Sequence, residues 1–139
     1  MNQLEARQRF VESRVVRLAT VRTGGGPHVV PCVFVADGDR IVSVVDEKPK
    51  RSKALQRLAN IRANPRVSLL ADRYDEDWLQ LWWVRADGTA TVVETGPERD
   101  RAVALLQRKY AQYLDQPPTG AAVVVTVDAW SWWTAEPHP

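Results

Sequence analysis

The spacing of the first three apolar runs limits the possible folds of this chain more than any other feature. The runs are Val15–Val21, Val29–Val35 and Ile41–Val45, and only the turn sequences Thr23–Pro27 and Asp37-Gly38 separate them. Parallel strands need a crossover of a dozen or more residues, usually a helix, and neither turn leaves room for one. We therefore predict three hairpin-linked antiparallel strands. The runs are almost continuously apolar, which indicates that both faces are covered.

The remainder of the chain alternates helical and strand patterns. The predicted elements are a first helix ending near Ser13, a second helix from Lys53 to about Ala63, strands at Val67–Ala71, Leu79–Val84 and Thr89–Glu94 with a hairpin turn at Ala86-Asp87-Gly88, a third helix from Gly96-Pro97 to about Asp115, a strand at Ala121–Val127 and a closing segment at Trp130–Trp133. Helices occur only where hairpins cannot reach. This pattern predicts a mainly β (α+β) fold, a single domain over residues 1–139 built on a six- to seven-stranded antiparallel barrel with flanking helices.

Composition excludes several classes of protein. Hydrophobic residues make up 45% of the 139 residues and charged residues 26%, as in soluble globular proteins. The net charge of +2 does not indicate a general nucleic-acid binder. A lone cysteine, Cys32, excludes an internal disulfide and is typical of a reducing compartment. No apolar run approaches the ~20 residues that span a bilayer, so we expect a cytoplasmic protein without a membrane partner.

Positive charge is concentrated where the third strand gives way to the second helix. Residues 48–71 contain seven basic residues and no acidic one. The basic segment comprises Lys48, Lys50, Arg51, Ser52 and Lys53. Cations at a helix N-terminus are unfavourable by about 0.3–1 kcal/mol each, unless an anion binds among them. Backbone N–H groups, the helix dipole and the cations would then all point at one phosphate. We predict an anion site; a solvated basic turn is the alternative interpretation.

Familiar catalytic motifs are absent from the sequence. Its histidines are His28 and His138, and no G-x-S-x-G elbow or phosphate-binding Gly-rich loop occurs. The acidic residues 72–77 are interpreted as a solvated loop, so we predict no metal site and assign no catalytic residue. Any chemistry would then depend on a bound cofactor.

After the basic segment, the six tryptophans are the second feature of the sequence that indicates a function. Trp82 and Trp83 are neighbours on a predicted strand and must point to opposite faces, as must Trp132 and Trp133. One of each pair is expected in the core. The other would cover a subunit interface or a cleft that binds a planar ring.

Several segments in succession resemble one known family. They are Val15–Val21 followed by Gly26–Pro31, then Lys50–Lys53, Asn60-Ile61, Asn64–Leu70 and Trp83–Ala90. Over nearly its whole length the chain resembles the split β-barrel flavin-binding superfamily of pyridoxamine 5′-phosphate oxidase-like proteins. Within that superfamily it is most similar to the actinobacterial branch that uses the deazaflavin coenzyme F420.

The resemblance implies a homodimer with two cofactor sites at the subunit interface. It assigns the basic segment to the cofactor phosphate, with Arg57 behind it, and leaves open whether Lys53 or Arg57 makes the usual phosphate contact. It places Pro31, Cys32 and Val33 on the strand beneath the cofactor ring, and Trp83 is a further candidate for the ring.

The expected function is hydride transfer between F420 and an unsaturated small molecule. FMN is the alternative cofactor, although a long basic groove suits the polyglutamate tail of F420. A non-catalytic cofactor carrier or sensor is a second alternative. A nucleic-acid-binding barrel is disfavoured because the tryptophans and the cations occupy different segments.

Overall fold

The computed structural model describes the backbone of residues 1–46 and 53–136, and all of their side chains except those of residues 53–55. The helices are α1 (Gln3–Glu12), α2 (Lys53–Ala63), α3 (Pro97–Lys109) and α4 (Gln112–Asp115), and a short 3-10 helix spans Trp78–Gln80. The strands are β1 (Val16–Val21), β2 (Pro27–Cys32), β3 (Val35–Asp37), β4 (Arg40–Val44), β5 (Arg66–Arg73), β6 (Trp82–Val93) and β7 (Ala122–Thr134). None of the described helices is long and apolar enough to cross a membrane.

All seven described strands belong to one antiparallel sheet in the order β2-β1-β5-β6-β7-β4-β3. Its two edges, β2 and β3, are separated in sequence only by Val33 and Phe34. Neighbouring strands lie about 5 Å apart, so two residues cannot cross a flat sheet of this width. The sheet therefore curls until its edges meet as a barrel with a gap, here called the split. The predicted antiparallel split-barrel fold with flanking helices is confirmed.

Two apolar clusters hold the fold together. The main cluster fills the barrel, where α1 contributes Ala6 and Phe10 and α2 contributes Leu58 and Ile61. In the second cluster, Ala102 and Leu106 of α3 pack on the outer face of β4 and β7. Because α3 covers that face, residues 41–44 are buried without interruption, as predicted for this strand.

The same prediction is wrong for β1 and β2, where burial alternates along each strand. Their inner side chains reach the barrel core, while no described helix packs on their outer face. This bare surface continues across β5 and β6 to the end of β7, where Trp83 on β6 and its cross-strand neighbour Trp133 on β7 lie on the outside. Their sequence neighbours Trp82 and Trp132 pack against the main cluster, so the predicted division of each pair is confirmed.

Other boundaries differ from the predictions. The second apolar run forms two strands, β2 and β3, because the chain passes from one edge of the sheet to the other at Val33-Phe34. Pro31 lies on an edge strand, as its missing N–H predicts. The third predicted helix ends at Lys109, and Tyr110 adopts an extended conformation before α4 begins.

The predicted hairpin turn at Ala86-Asp87-Gly88 is also wrong. This sequence lies inside β6, which pairs along its length with β7 and forms a bulge between Asp87 and Gly88. The extra residue, Asp128 on β7, forms an ion pair with Arg66 at 2.7 Å. Likewise the two predicted closing segments form one strand, β7, because β6 offers a partner along its whole length.

Candidate functional site

The predicted phosphate-binding residues lie only partly within the described structure. Lys48, Lys50, Arg51 and Ser52 lie outside the described residues. The backbone of Lys53 begins α2, as predicted, but its side chain is not described. For these five residues the assignment stays a prediction.

Arg57 is the member of the predicted set whose side chain the structure describes. It is half-buried in the second turn of α2, and its Nε is buried without a hydrogen-bond partner among the described residues. None of the ion pairs among the described residues includes Arg57, whereas Arg62 on the same helix pairs with Glu94. A buried polar atom without a hydrogen-bond partner is costly. Its environment is therefore suited to an anion supplied from outside the described chain.

The position of Arg57 is set by a buried hydrogen-bond chain. Asn60, which is 1% exposed, donates from Nδ2 to Oγ1 of Thr20 on β1 at 3.0 Å. Gln56 in turn donates to Oδ1 of Asn60 at 2.7 Å. Together with Leu58 and Ile61 in the barrel core, this chain fixes the rotation of α2 against β1. Arg57 is thereby held close enough to His28 and Cys32 of β2 for its charge to act on both.

Arg57 influences three titratable groups around it. Burial lowers the pKa of His28, and the charges of Arg22 and Arg57 lower it further, so the imidazole is neutral at pH 7. Burial raises the pKa of Cys32 to about 11 against the opposing effect of Arg57, so the thiol stays protonated. Burial also raises the pKa of Tyr113, while Arg57 opposes that shift. Nδ1 of His28 and Nη1 of Arg9 are likewise buried without a hydrogen-bond partner among the described residues.

A cavity opens on the bare outer face of the sheet, and we call it the sheet-face cavity. It has a volume of about 490 Å³ and is mainly apolar. Its lining residues are Arg17, Ala19, Val29, Ser68, Leu70, Asp72, Trp83 and Arg85. Its size falls within the ~300–1,000 Å³ of small-molecule sites.

Strand register builds this cavity. Arg17 on β1 lies opposite Leu70 on β5, and Leu70 lies opposite Arg85 on β6. Asp72 lies opposite Trp83 in the next row. The two arginines therefore flank an apolar floor, about 10 Å apart in the direction across the strands.

The two arginines differ in how firmly they are held. Arg85 donates from Nε to Asp87 at 3.2 Å and from Nη2 to Ser131 at 3.3 Å, and it lies 5.7 Å from the ring centre of Trp83. Among the described residues, the Arg17 side chain has one long hydrogen bond, 3.4 Å from Nη1 to Asp72, and both side chains of this pair are nearly half exposed. Such exposed pairs contribute about 0–1 kcal/mol. Arg17 can therefore change partner at little cost.

Two of the residues predicted for the cofactor ring lie at or beside this cavity, whereas Cys32 packs against the main cluster on the other face of β2. Pro31 on β2 is the cross-strand neighbour of Arg17, and Trp83 lines the cavity itself. Val33 is half-buried in the link that crosses the split. Pro31 and His28 occupy opposite faces of β2, because their positions differ by an odd number. A ligand that contacts both Arg57 and Pro31 must therefore cross the edge of this strand.

Sequence reasoning missed most of the cavity. Alternation along β1 and β6 marks Arg17 and Arg85 as outward-facing, but it does not reveal that β5 lies between those strands. Leu70 joins the two arginines only through this long-range pairing.

Comparisons with known proteins agree with this architecture. Residues 3–134 match the sequence profile of the family described as pyridoxamine 5′-phosphate oxidase. Among curated protein sequences, none matches the chain significantly.

Several solved structures share the fold. A conserved hypothetical protein of Mycobacterium tuberculosis, Rv2991, is 24% identical with a TM-score of 0.79, over 100% of this chain and 91% of that chain. An FAD-binding protein of Mesorhizobium loti is 21% identical with a TM-score of 0.71, over 95% of this chain and 94% of that chain. The heme storage protein HutZ of Vibrio cholerae is 17% identical with a TM-score of 0.69, over 95% of this chain and 93% of that chain.

Proposed function

The chain belongs to the pyridoxamine 5′-phosphate oxidase family, and from this premise we propose that it is an oxidoreductase that binds coenzyme F420. It would transfer a hydride between the deazaflavin and an unsaturated small molecule. The observation that carries the proposal is the buried Nε of Arg57, which has no hydrogen-bond partner among the described residues. This is the environment that a cofactor phosphate would complete.

The chain's own groups suit a phosphate at this position. The first turn of α2 contains no acidic residue, and the N-terminus of a helix favours an anion. Lys50, Arg51, Ser52 and Lys53 are proposed to bind the phosphate from outside, with Lys48 beside them. Arg57 is proposed to bind the phosphate from the side of the barrel. The phosphate would supply the counter-charge and accept charge-assisted hydrogen bonds from the guanidinium.

The ring is proposed to lie along the outer face of β2, beside Pro31 and Val33 and towards Trp83. When bound, a deazaflavin supplies a hydride to an electrophilic carbon, and a proton from water completes reduction of the substrate double bond. The chain's contribution would be to bind, orient and shield the reactants. No described acid or base needs to titrate for this role.

F420 is preferred to FMN because residues 48–71 carry more positive charge than one phosphate requires. The excess suits an anionic tail. FMN remains the alternative, consistent with the flavin named for the Mesorhizobium loti protein. A carrier of heme, the ligand named for HutZ, is less well supported here. The described histidine, His28, lies on the β2 face opposite Pro31 and outside the sheet-face cavity lining.

A titration of matched arginine variants tests the phosphate assignment. Arg57→Gln should weaken F420 binding at least tenfold, since a lost charge-assisted bond costs about 1.5–3 kcal/mol. Arg62→Gln is the control, because it removes the same charge from the same helix at a residue paired with Glu94. Ligand fluorescence would report both affinities, with FMN titrated in parallel. Equal affinities of the two variants for F420 would show that Arg57 does not bind the phosphate. Tighter binding of FMN than of F420 would identify FMN as the cofactor.

We also propose that the protein is a homodimer whose interface covers the bare face of the sheet. Val29 is 59% exposed and Trp133 is 46% exposed on this face. Sedimentation equilibrium should give about twice the chain mass of 15.7 kDa. Trp133→Glu should shift the protein towards monomer, whereas Leu114→Glu on α4, where Leu114 is 64% exposed, should not. A monomeric mass for the unaltered protein at micromolar concentration would exclude this dimer.

A further inference from the structure

We propose that His28 is a second ligand of the anion that Arg57 is proposed to bind, and that its imidazole takes up a proton when the anion binds. The inference rests on one part of the proposed function, the anion at Arg57. It adds a residue of β2 to the basic residues in and before α2, and it makes binding of the anion depend on pH.

Strand pairing brings His28 towards Arg57. His28 lies directly opposite Thr20 on β1, so the two side chains point to the same face of the sheet with Cβ atoms about 5 Å apart. Thr20 accepts a hydrogen bond from Asn60 at 3.0 Å. Arg57 precedes Asn60 by three residues, and residues three apart are neighbours on a helix. The imidazole and the guanidinium therefore approach the same buried hydrogen bond, one from β2 and the other from α2.

Both side chains have a buried nitrogen without a hydrogen-bond partner among the described residues. The atoms are Nδ1 of His28 and Nε of Arg57, and burying a polar atom in this state is unfavourable. Nε of arginine always carries a hydrogen and can only donate, and Nδ1 of a protonated histidine also donates. The oxygens of one anion would accept from both atoms.

The charges around the imidazole keep it neutral before the anion binds. Burial lowers the pKa of His28, and two cations lower it further, Arg22 in the turn between β1 and β2 and Arg57 on α2. No described carboxylate is among the charges that shift this pKa. The neighbours contributed by β1 and α2, Thr20 and Asn60, are uncharged.

An anion bound at Arg57 would reverse this balance. It offsets the charge of the guanidinium and attracts the imidazolium directly, and a nearby opposite charge shifts a pKa by about 1–3 pH units. The pKa of His28 would then be higher in the bound state than in the free state. By linkage, affinity for the anion is greatest below the free-state pKa and falls as the pH rises through the bound-state pKa.

An NMR titration with sulfate tests the inference. Sulfate is a suitable probe because it stays a dianion throughout the range in which a histidine titrates. The Cε1–H resonance of His28 reports its pKa, and the loss of this resonance in His28→Gln identifies it. In the unaltered protein at constant ionic strength, sulfate should raise the pKa of His28 by about one pH unit or more. The same shift corresponds to a fall of about tenfold or more in sulfate affinity from the acidic to the basic end of the titration.

Three arginine variants separate the bound anion from the background charge. Arg57→Gln should raise the pKa of His28 without sulfate and remove its response to sulfate, because the other ligand of the anion is gone. Arg22→Gln should raise the pKa of His28 in the same way but keep the response. Arg62→Gln, at a residue paired with Glu94, should change neither.

Measuring the pKa of His28 with F420 and with FMN in the same samples keeps the two claims apart. If a cofactor binds but neither it nor sulfate raises this pKa, or if the response to sulfate survives in Arg57→Gln, the inference is wrong and the oxidoreductase proposal stands. If sulfate raises the pKa through Arg57 but neither cofactor binds, His28 and Arg57 form an anion site and the oxidoreductase proposal fails. Cofactor binding together with an Arg57-dependent rise in the pKa supports both.

Discussion

Replacing Phe10 with alanine should lower the free energy of unfolding by about 3–5 kcal/mol, the range for large aromatic truncations in a core. Phe10 is fully buried, and its ring centre lies 5.2 Å from both Phe34 and Trp130 in edge-to-face geometry. Phe34 belongs to the link across the split and Trp130 to β7, so one side chain joins α1 to two distant parts of the barrel. Truncation would lose these contacts and leave a cavity. Urea denaturation would measure the change.

Leu4→Ala is the control for this prediction, because it truncates a side chain of the same helix that is 75% exposed. Its cost should stay within about 0.5 kcal/mol. A Phe10→Ala protein as stable as the Leu4→Ala protein would show that α1 does not close the core.

Replacing Gly88 with alanine should cost about 3 kcal/mol, near the upper end for overpacking. A Cβ at this position would lie 2.2 Å from the carbonyl oxygen of Thr126 and 3.1 Å from Cα of Val127. Both atoms are backbone in the paired strand β7, so no side-chain rotation relieves the clash. The β6–β7 pairing must shift at the bulge. Thermal and urea denaturation would both report the loss.

Gly24→Ala provides the matched comparison. A Cβ at Gly24 meets no atom within 4 Å, and its φ is not positive. This variant should be as stable as the unaltered protein or slightly more stable, since alanine restricts the unfolded chain. Equal stability of the two glycine variants would contradict the close approach of the β6 and β7 backbones at Gly88.

Local chemistry was enough to predict much of this fold. The glycine-rich turn before Pro27 predicts the β1–β2 hairpin, Pro97 marks the start of α3, and the adjacent tryptophans predict opposite facing. Each of these features acts within a few residues of itself. Sequence reasoning therefore identified them without knowledge of the rest of the molecule.

Long-range pairing explains the errors. Asp87-Gly88 has the composition of a hairpin turn, but β5 and β7 flank it and hold it in an extended strand. Outside that context the dipeptide favours a turn. The floor of the sheet-face cavity depends in the same way on β5 lying between β1 and β6. Arg57 was predicted as a phosphate ligand from its place behind the basic segment. The burial of its Nε could not be predicted, because it depends on how α2 packs against the barrel.

The position of β7 has a consequence for how the chain folds. It is the last of the seven described strands in sequence, yet it lies between β6 and β4. Until β7 docks, those two strands lack their shared neighbour and the sheet consists of two unconnected parts. Folding must therefore await contacts between distant residues, a topology typical of slow folders on a scale of about milliseconds to seconds. During synthesis, a nascent chain that ends before β7 would expose two unpaired strand edges, the kind of surface that chaperones protect.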